Sequence, residues 1–214
     1  MIGLFYKDLL VLRKQMRTYL LFILVYGVLV IKDVFPLSVL SGLVVLMGMM
    51  LPMTSFSYDD LARWDKYAAS LPTGRRGIVA GKYLLSLFCT GISGLIVLVL
   101  LIALWAVGLS EENLMDLSLT VLASIGITLL INAVILPLLI KFGAEKSRII
   151  STILFVTVFG GVMLAGTLLK QSDPSFTLPA WITDSFPVLL GVFCLGAFAV
   201  SYSISIGIMA RKEL

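Results

Sequence analysis

Histidine is absent from the 214 residues. That absence excludes an HExxH zinc site, a histidine-based catalytic triad and a three-histidine metal site. Cysteine is scarce: Cys89 and Cys194 each sit inside an apolar run, which excludes a disulfide scaffold. Charge is scarce as well. Asp, Glu, Lys and Arg make up 13% of the chain, against about one quarter in an ordinary soluble domain. With 60% hydrophobic residues and a mean hydropathy of +1.10, too little polar residue remains to clothe a soluble surface. The composition predicts an integral membrane protein and excludes disorder. The longest segment between apolar runs, 59–82, has 24 residues, too few for a soluble catalytic domain. No catalytic residue and no metal site are expected in this chain.

Six uncharged runs set the expected architecture: Thr18–Ile31, Val34–Tyr58, Tyr83–Ser110, Leu117–Ile140, Ile149–Leu169 and Ser185–Ala210. A helix needs about 20 apolar residues to cross a bilayer, and every run but the first has at least 21. The first has 14 and borrows its flanks, with Arg17 and Lys32 snorkelling to opposite interfaces. The alternative is a re-entrant first run and five spans. The expected fold is all-α and membrane-embedded, one transmembrane domain over 1–214. Its spans fall at about 18–32, 34–56, 80–108, 117–140, 149–169 and 186–210. No cleaved signal is expected, because charge continues to Arg17 and no A-x-A site follows the run.

With the N-terminus in the cytoplasm, segments 1–17, 59–82, 141–148 and 211–214 lie inside. They carry 14 of the 16 basic residues, leaving Lys32 and Lys170 outside. The 12 acids divide six and six, so the inside carries +8 and the outside −4, together the net +4. This is a positive-inside distribution, with both termini cytoplasmic in a multi-pass protein. It explains the basic pI near 9.1 by topology and contact with anionic lipid rather than by nucleic acid.

No Asp, Glu, Lys or Arg falls inside any of the six runs, which counts against a proton- or sodium-coupled carrier and an intramembrane aspartyl protease. The polar residues there are uncharged. Asn132 and Pro137 share the fourth run, where Pro137 is expected to kink the helix near Lys141. Ser201 and Ser205 lie on one face of the sixth, with Ser203 between them. Gly160, Gly161 and Gly166 lie in the fifth. Close helix packing is the plain reading of these small residues, and contact with a transported molecule the sharper one. Gly74-Arg75-Arg76-Gly77 through Gly81-Lys82-Tyr83 imitates a phosphate-binding loop. Its glycine spacing is wrong, and Tyr83 stands where Ser or Thr is required.

Two further segments read as helices. In 1–17, Ile2, Phe5, Leu9, Leu12, Met16 and Leu20 recur at spacings of three and four, with Lys7, Arg13, Lys14 and Arg17 largely on other faces. This predicts an amphipathic helix in the inner interface that turns into the first span. Between the second and third spans, Ser57 and Asp60 match a capping box. Asp59 and Arg63 are spaced for an ion pair, Leu61, Trp64, Ala68 and Leu71 form a stripe, and Pro72 stops the pattern. These features predict a cytoplasmic helix over about 58–71, bound to lipid or to a soluble partner.

The same stretch, Phe56-Ser57-Tyr58-Asp59-Asp60, Trp64-Asp65-Lys66-Tyr67, Ser70-Leu71-Pro72, Arg75-Arg76 and Val79-x-Gly81-Lys82-Tyr83, resembles the small six-span ABC-2 type permeases of Gram-positive bacteria. That family includes the permease of a phenol-soluble-modulin exporter. Leu178-Pro179-Ala180-Trp181-Ile182 with Phe186-Pro187 resembles the family's outer re-entrant region in shortened form. The resemblance implies a plasma-membrane permease, paired with a second permease chain (identical or a sister). Separate ATPase subunits would hold ATP and Mg, with no cofactor in this chain. It implies that the 58–71 helix is the coupling helix, with Asp59, Asp60, Arg63, Trp64, Asp65, Lys66 and Tyr67 as the contacts to the ATPase. It implies a path lined by the second and fifth spans. Met47, Met50, Met53 and Gly160 are candidates there, and Asn132 joins them from the fourth. The expected function is export of an amphipathic peptide or hydrophobic cargo; the alternative is an ABC-type subunit for antibiotic sensing, resistance or immunity without bulk transport.

Overall fold

The computed structural model describes residues 2–32, 34–64, 67, 74–108, 113–172 and 180–211, with side chains throughout except at 2, 4, 14, 154–155, 158–172 and 180–190. All elements among the described residues are helical. Helix α1 (Ile2–Ile31) leads through a short 3-10 turn (Leu37–Leu40) into α2 (Ser41–Leu61); α3 (Gly74–Ala106), α4 (Leu114–Ser172) and α5 (Ala180–Arg211) follow. In an apolar medium a helix satisfies its own backbone, which is why long uncharged runs adopt it. Helix α1 is bent: Phe5–Arg13 and Gln15–Ile31 meet at 58°. Helix α4 is broken at Gly143, whose φ of 78° and ψ of 174° are not helical.

Four helical stretches are long and apolar enough to cross a membrane, Leu37–Leu61, Gly74–Ala106, Leu114–Ile153 and Gly191–Arg211, and the bent α1 makes up to five. The expected run at 149–169 lies in the arm of α4 after Gly143.

Helix α2 packs against α3 and α4, and α5 packs against α4 and α3. Helix α1 lies on α2 and α3. Three apolar clusters hold the bundle. Val30, Leu40, Val44, Leu101 and Val121 fill the end nearest the α1–α2 connection. Leu12, Tyr19, Met47, Leu85 and Cys89 join α1 to α2 and α3. Phe56, Val79, Tyr83, Leu136, Leu139 and Phe198 fill the other end. Lipid is as apolar as these side chains, so the clusters stabilise by close fit more than by removal from water. At Gly48 the fit is tight: a Cβ there would stand 2.5 Å from Thr128 Cγ2.

Two local readings change. The Ser57–Asp60 pattern is not an N-cap. Helix α2 continues through it to Leu61, and Ser57 Oγ donates to the carbonyl of Met53 one turn back. A serine inside a helix has that alternative partner. The helix ends instead at a turn in which the Ala62 and Arg63 amides donate to Tyr58 and Asp60 carbonyls, with Arg63 at φ 50°. Any coupling helix therefore begins after Arg63. Trp64 and Tyr67 are helical there, while 65–66 and 68–73 lie outside the described residues. The sharp departure expected near Pro137 falls at Gly143, and Pro137 stays within helical backbone.

Candidate functional site

The described parts of segments 1–17, 59–82 and 141–148 and the end of α5 converge at one end of the bundle, where a largely buried charge quartet joins α1, α2 and α3. Asp8 on α1, Asp59 on α2 and Lys82 on α3 are 3%, 6% and 6% exposed. Lys7 Nζ is 3.0 Å from Asp8 Oδ1 and 2.5 Å from Asp59 Oδ1. Lys82 Nζ is 3.2 Å from Asp8 Oδ1, pairs with Asp59 Oδ2, and donates to Ser55 Oγ at 2.7 Å. Two cations thus face two carboxylates, so the cluster is neutral as a unit. Buried charges are tolerated only when paired and hydrogen-bonded. Rings cover both ammonium groups: Lys82 Nζ lies 4.8 Å from the Phe56 ring centre and Lys7 Nζ 4.4 Å from that of Trp64. Trp64 in turn stacks on Tyr67 with centres 6.0 Å apart.

Asp60, next in sequence, faces the other way. Its Oδ2 accepts the backbone N–H of Ala144, the first amide after the break in α4. A carboxylate at a helix N-terminus meets orphan donors and the positive end of the helix dipole. Across the same break Ser147 Oγ donates to Leu138 O at 2.7 Å. The foot of α3 is tied to the last turn of α5, where Arg75 donates to the carbonyls of Ala210 at 2.7 Å and Met209 at 3.4 Å. The cation sits at the negative end of that dipole.

Deeper in the bundle a polar seam runs between the helices. Tyr83 Oη shares hydrogen bonds with Ser201 Oγ at 2.6 Å and Ser205 Oγ at 2.7 Å, which the spacing of those serines places on one face. Ser203 instead turns outward, bonding to Ala199 O. Asn132, fully buried, donates from Nδ2 to Gly48 O at 2.9 Å.

Among the expected coupling contacts, Asp59 is turned inward into the quartet and does not pair with Arg63 as the spacing suggested. Asp60 is engaged with α4, Trp64 with Lys7, and the exposed positions after the turn are Arg63 and Tyr67. Asp65 and Lys66 lie outside the described residues. Of the candidate path residues, Met47 and Met53 are buried core, Met50 is half exposed on the outer face of α2, and Asn132 joins two helices. Gly160 lies in the arm of α4 whose side chains are not described. A groove of about 500 Å3 lies elsewhere, between α4 and α5, lined by Leu119, Leu122, Leu129 and Leu195 with Asp116 at its margin. Sequence reasoning missed Asp8 and Lys82 as partners because it counted them as interfacial charges. Lys82 carried a signal, a charged residue at the very edge of an apolar run; Asp8, ten residues before the first run, carried none.

A family model described as ABC-2 family transporter protein matches residues 3–210. No curated protein and no solved structure matches the chain. The match spans nearly the whole sequence, and the helices are those of a multi-pass membrane protein. The chain belongs to the ABC-2 family of transporter membrane proteins.

Proposed function

We propose that this chain is the permease subunit of an ATP-driven exporter. It crosses a bacterial plasma membrane six times, with both termini cytoplasmic, and pairs with a second permease chain above separate ATPase subunits that hold ATP and Mg2+. One observation carries the reading. The end of α2, from which the segment leaves, is rooted in three other helices, and through α3 in the fourth: Asp59 binds α1 and α3, Asp60 binds α4, and Arg75 links α3 to α5. A push delivered just beyond that root reaches the whole bundle through short, charge-assisted contacts. The ATPase contacts then fall on Arg63, Trp64, Asp65, Lys66 and Tyr67, while Asp59 and Asp60 transmit the movement. The cargo is an amphipathic peptide or another hydrophobic molecule. The uncharged runs and the apolar outer face of α2, with Leu46, Met50 and Tyr58 exposed, favour it over a small ion.

A gentle detergent pull-down from native membranes is expected to bring down a stoichiometric P-loop ATPase. The paired reversal Arg63→Glu and Lys66→Glu is expected to weaken that association by at least about tenfold, as loss of interfacial charge pairs does, with membrane insertion intact. Normal ATPase binding by this variant would sink the docking assignment. A complex whose ATP turnover no apolar peptide stimulates would favour a sensing or resistance role.

A further inference from the structure

Pro52 in α2 and Pro137 in α4 each leave a carbonyl without its helical donor, and in both cases a neighbouring helix supplies one. Pro52 has no N–H for the carbonyl four residues back, that of Gly48. Asn132 Nδ2 of α4 donates to that oxygen at 2.9 Å. Pro137 in α4 likewise orphans the carbonyl of Ala133, and Ser201 Oγ of α5 donates to it. The two repairs meet in sequence: Asn132 mends α2, and the next carbonyl, Ala133, is the one mended from α5. Ser201 also bonds to Tyr83 of α3, so one chain of side-chain bonds runs from α2 through α4 and α5 to α3. The surroundings fit a place built for motion. Gly48 has no side chain to hold it and lies against Thr128 and Thr90, and the buried Asn132 Oδ1, Thr90 Oγ1 and Ser86 Oγ have no hydrogen-bond partner among the described residues. A fully buried amide with its oxygen unpaired is a costly choice for packing alone.

We infer that 48–52 of α2 and 133–137 of α4 are a coupled pair of hinges, with Asn132 and Ser201 as the positioning residues that latch them. A side-chain donor is exchangeable where a backbone donor is not, so each helix can bend by giving up one interhelical bond. Because residues 132 and 133 move together, opening one hinge loosens the other. The latches rest on geometry alone; their part in transport rests on the exporter reading.

The test uses the full chain in detergent, and the ATPase complex for turnover. Asn132→Leu is expected to lower the unfolding temperature by a few degrees, on the order expected for one lost interhelical bond in a chain of this size, and to speed amide exchange in 48–53. Pro52→Ala restores the missing N–H. In that background Asn132→Leu is expected to cost little, and Ser201→Ala is expected to cost less in the Pro137→Ala background than in the wild type. Equal cost in both backgrounds would overturn the latch assignment, whatever the chain transports. If the latches hold, Pro52→Ala and Pro137→Ala are expected to keep the fold and the ATPase while cutting ATP turnover several-fold. Full turnover in both would overturn the hinge role. Failure of the wild-type chain to bind an ATPase would count against the exporter reading and leave the latch result standing.

Discussion

Lys82 stands in α3 at 6% exposure, between Asp8 and Asp59. Removing one member of a buried charge group leaves the others uncompensated, which costs about 3–5 kcal/mol, whereas removing a matched pair costs much less. Lys82→Met is therefore expected to cut the amount of folded protein sharply in a detergent thermal-shift assay. Combining it with Asp59→Leu is expected to recover much of the loss; a double variant less stable than Lys82→Met would show that the quartet acts through something other than mutual compensation. The residue identities were all visible beforehand, and so was the bias that places Lys7, Asp59 and Lys82 on one side. What could not be read was the pairing. Residues 8, 59 and 82 lie on three helices, and no local pattern reports which faces meet. For the same reason the stripe through Ile2, Phe5, Leu9, Leu12, Met16 and Leu20 does not tell which of its residues meet the other helices. The buried side of α1 runs through Asp8, Leu12 and Tyr19, while Met16 and Leu20 are exposed.

At the scale of elements, the break in α4 depends on its glycine. Gly143 holds φ 78° and ψ 174°, a region open to glycine alone, and a Cβ there would come 3.0 Å from Asp60 Oδ2. Gly143→Ala is expected to destabilise by about 1–3 kcal/mol. Asp60→Ala, which removes the cap on Ala144, is expected to cost about 0.5–2 kcal/mol, with Asp60→Asn between it and the wild type. Chemical denaturation in mild detergent would check both; an unchanged Gly143→Ala would mean that the break relaxes into helix. The long uncharged runs foretold the helices because length and apolarity alone demand them in lipid. The ends were harder. Ser57 and Asp60 carry the signature of a cap, yet a helix already under way gives a serine its i−4 carbonyl and an aspartate a distant amide. Pro137 carries the signature of a kink, yet Ser201 mends its gap and the chain turns at the next glycine instead. Local signals fail where a neighbouring helix supplies the missing partner.

For the whole molecule, the arrangement of ends can be separated from the direction in which they face. The contacts of Asp60 with Ala144 and of Arg75 with Met209 and Ala210 place segments 74–76, 144–148 and 209–211 at one end. In the proposed topology that end faces the cytoplasm, as the charge bias predicts. Arg76 and Lys146 are exposed there, and Asn113 is exposed between α3 and α4 at the other end. Both native cysteines are buried, so single cysteines introduced at these positions report without background. A membrane-impermeant thiol reagent on intact cells is expected to label Asn113→Cys and to spare Arg76→Cys and Lys146→Cys until the membrane is opened. Labelling of Arg76→Cys and Lys146→Cys with Asn113→Cys spared would keep the fold and reverse its orientation. A split between Arg76→Cys and Lys146→Cys would contradict the contact between α2 and the break in α4. Ser175→Cys decides the number of crossings. If residues 149–169 cross the bilayer, it is labelled from outside with Asn113→Cys and the chain has six spans. If it behaves like Lys146→Cys, that run returns to the side it left. The pairing of two six-span permeases would then have to be abandoned.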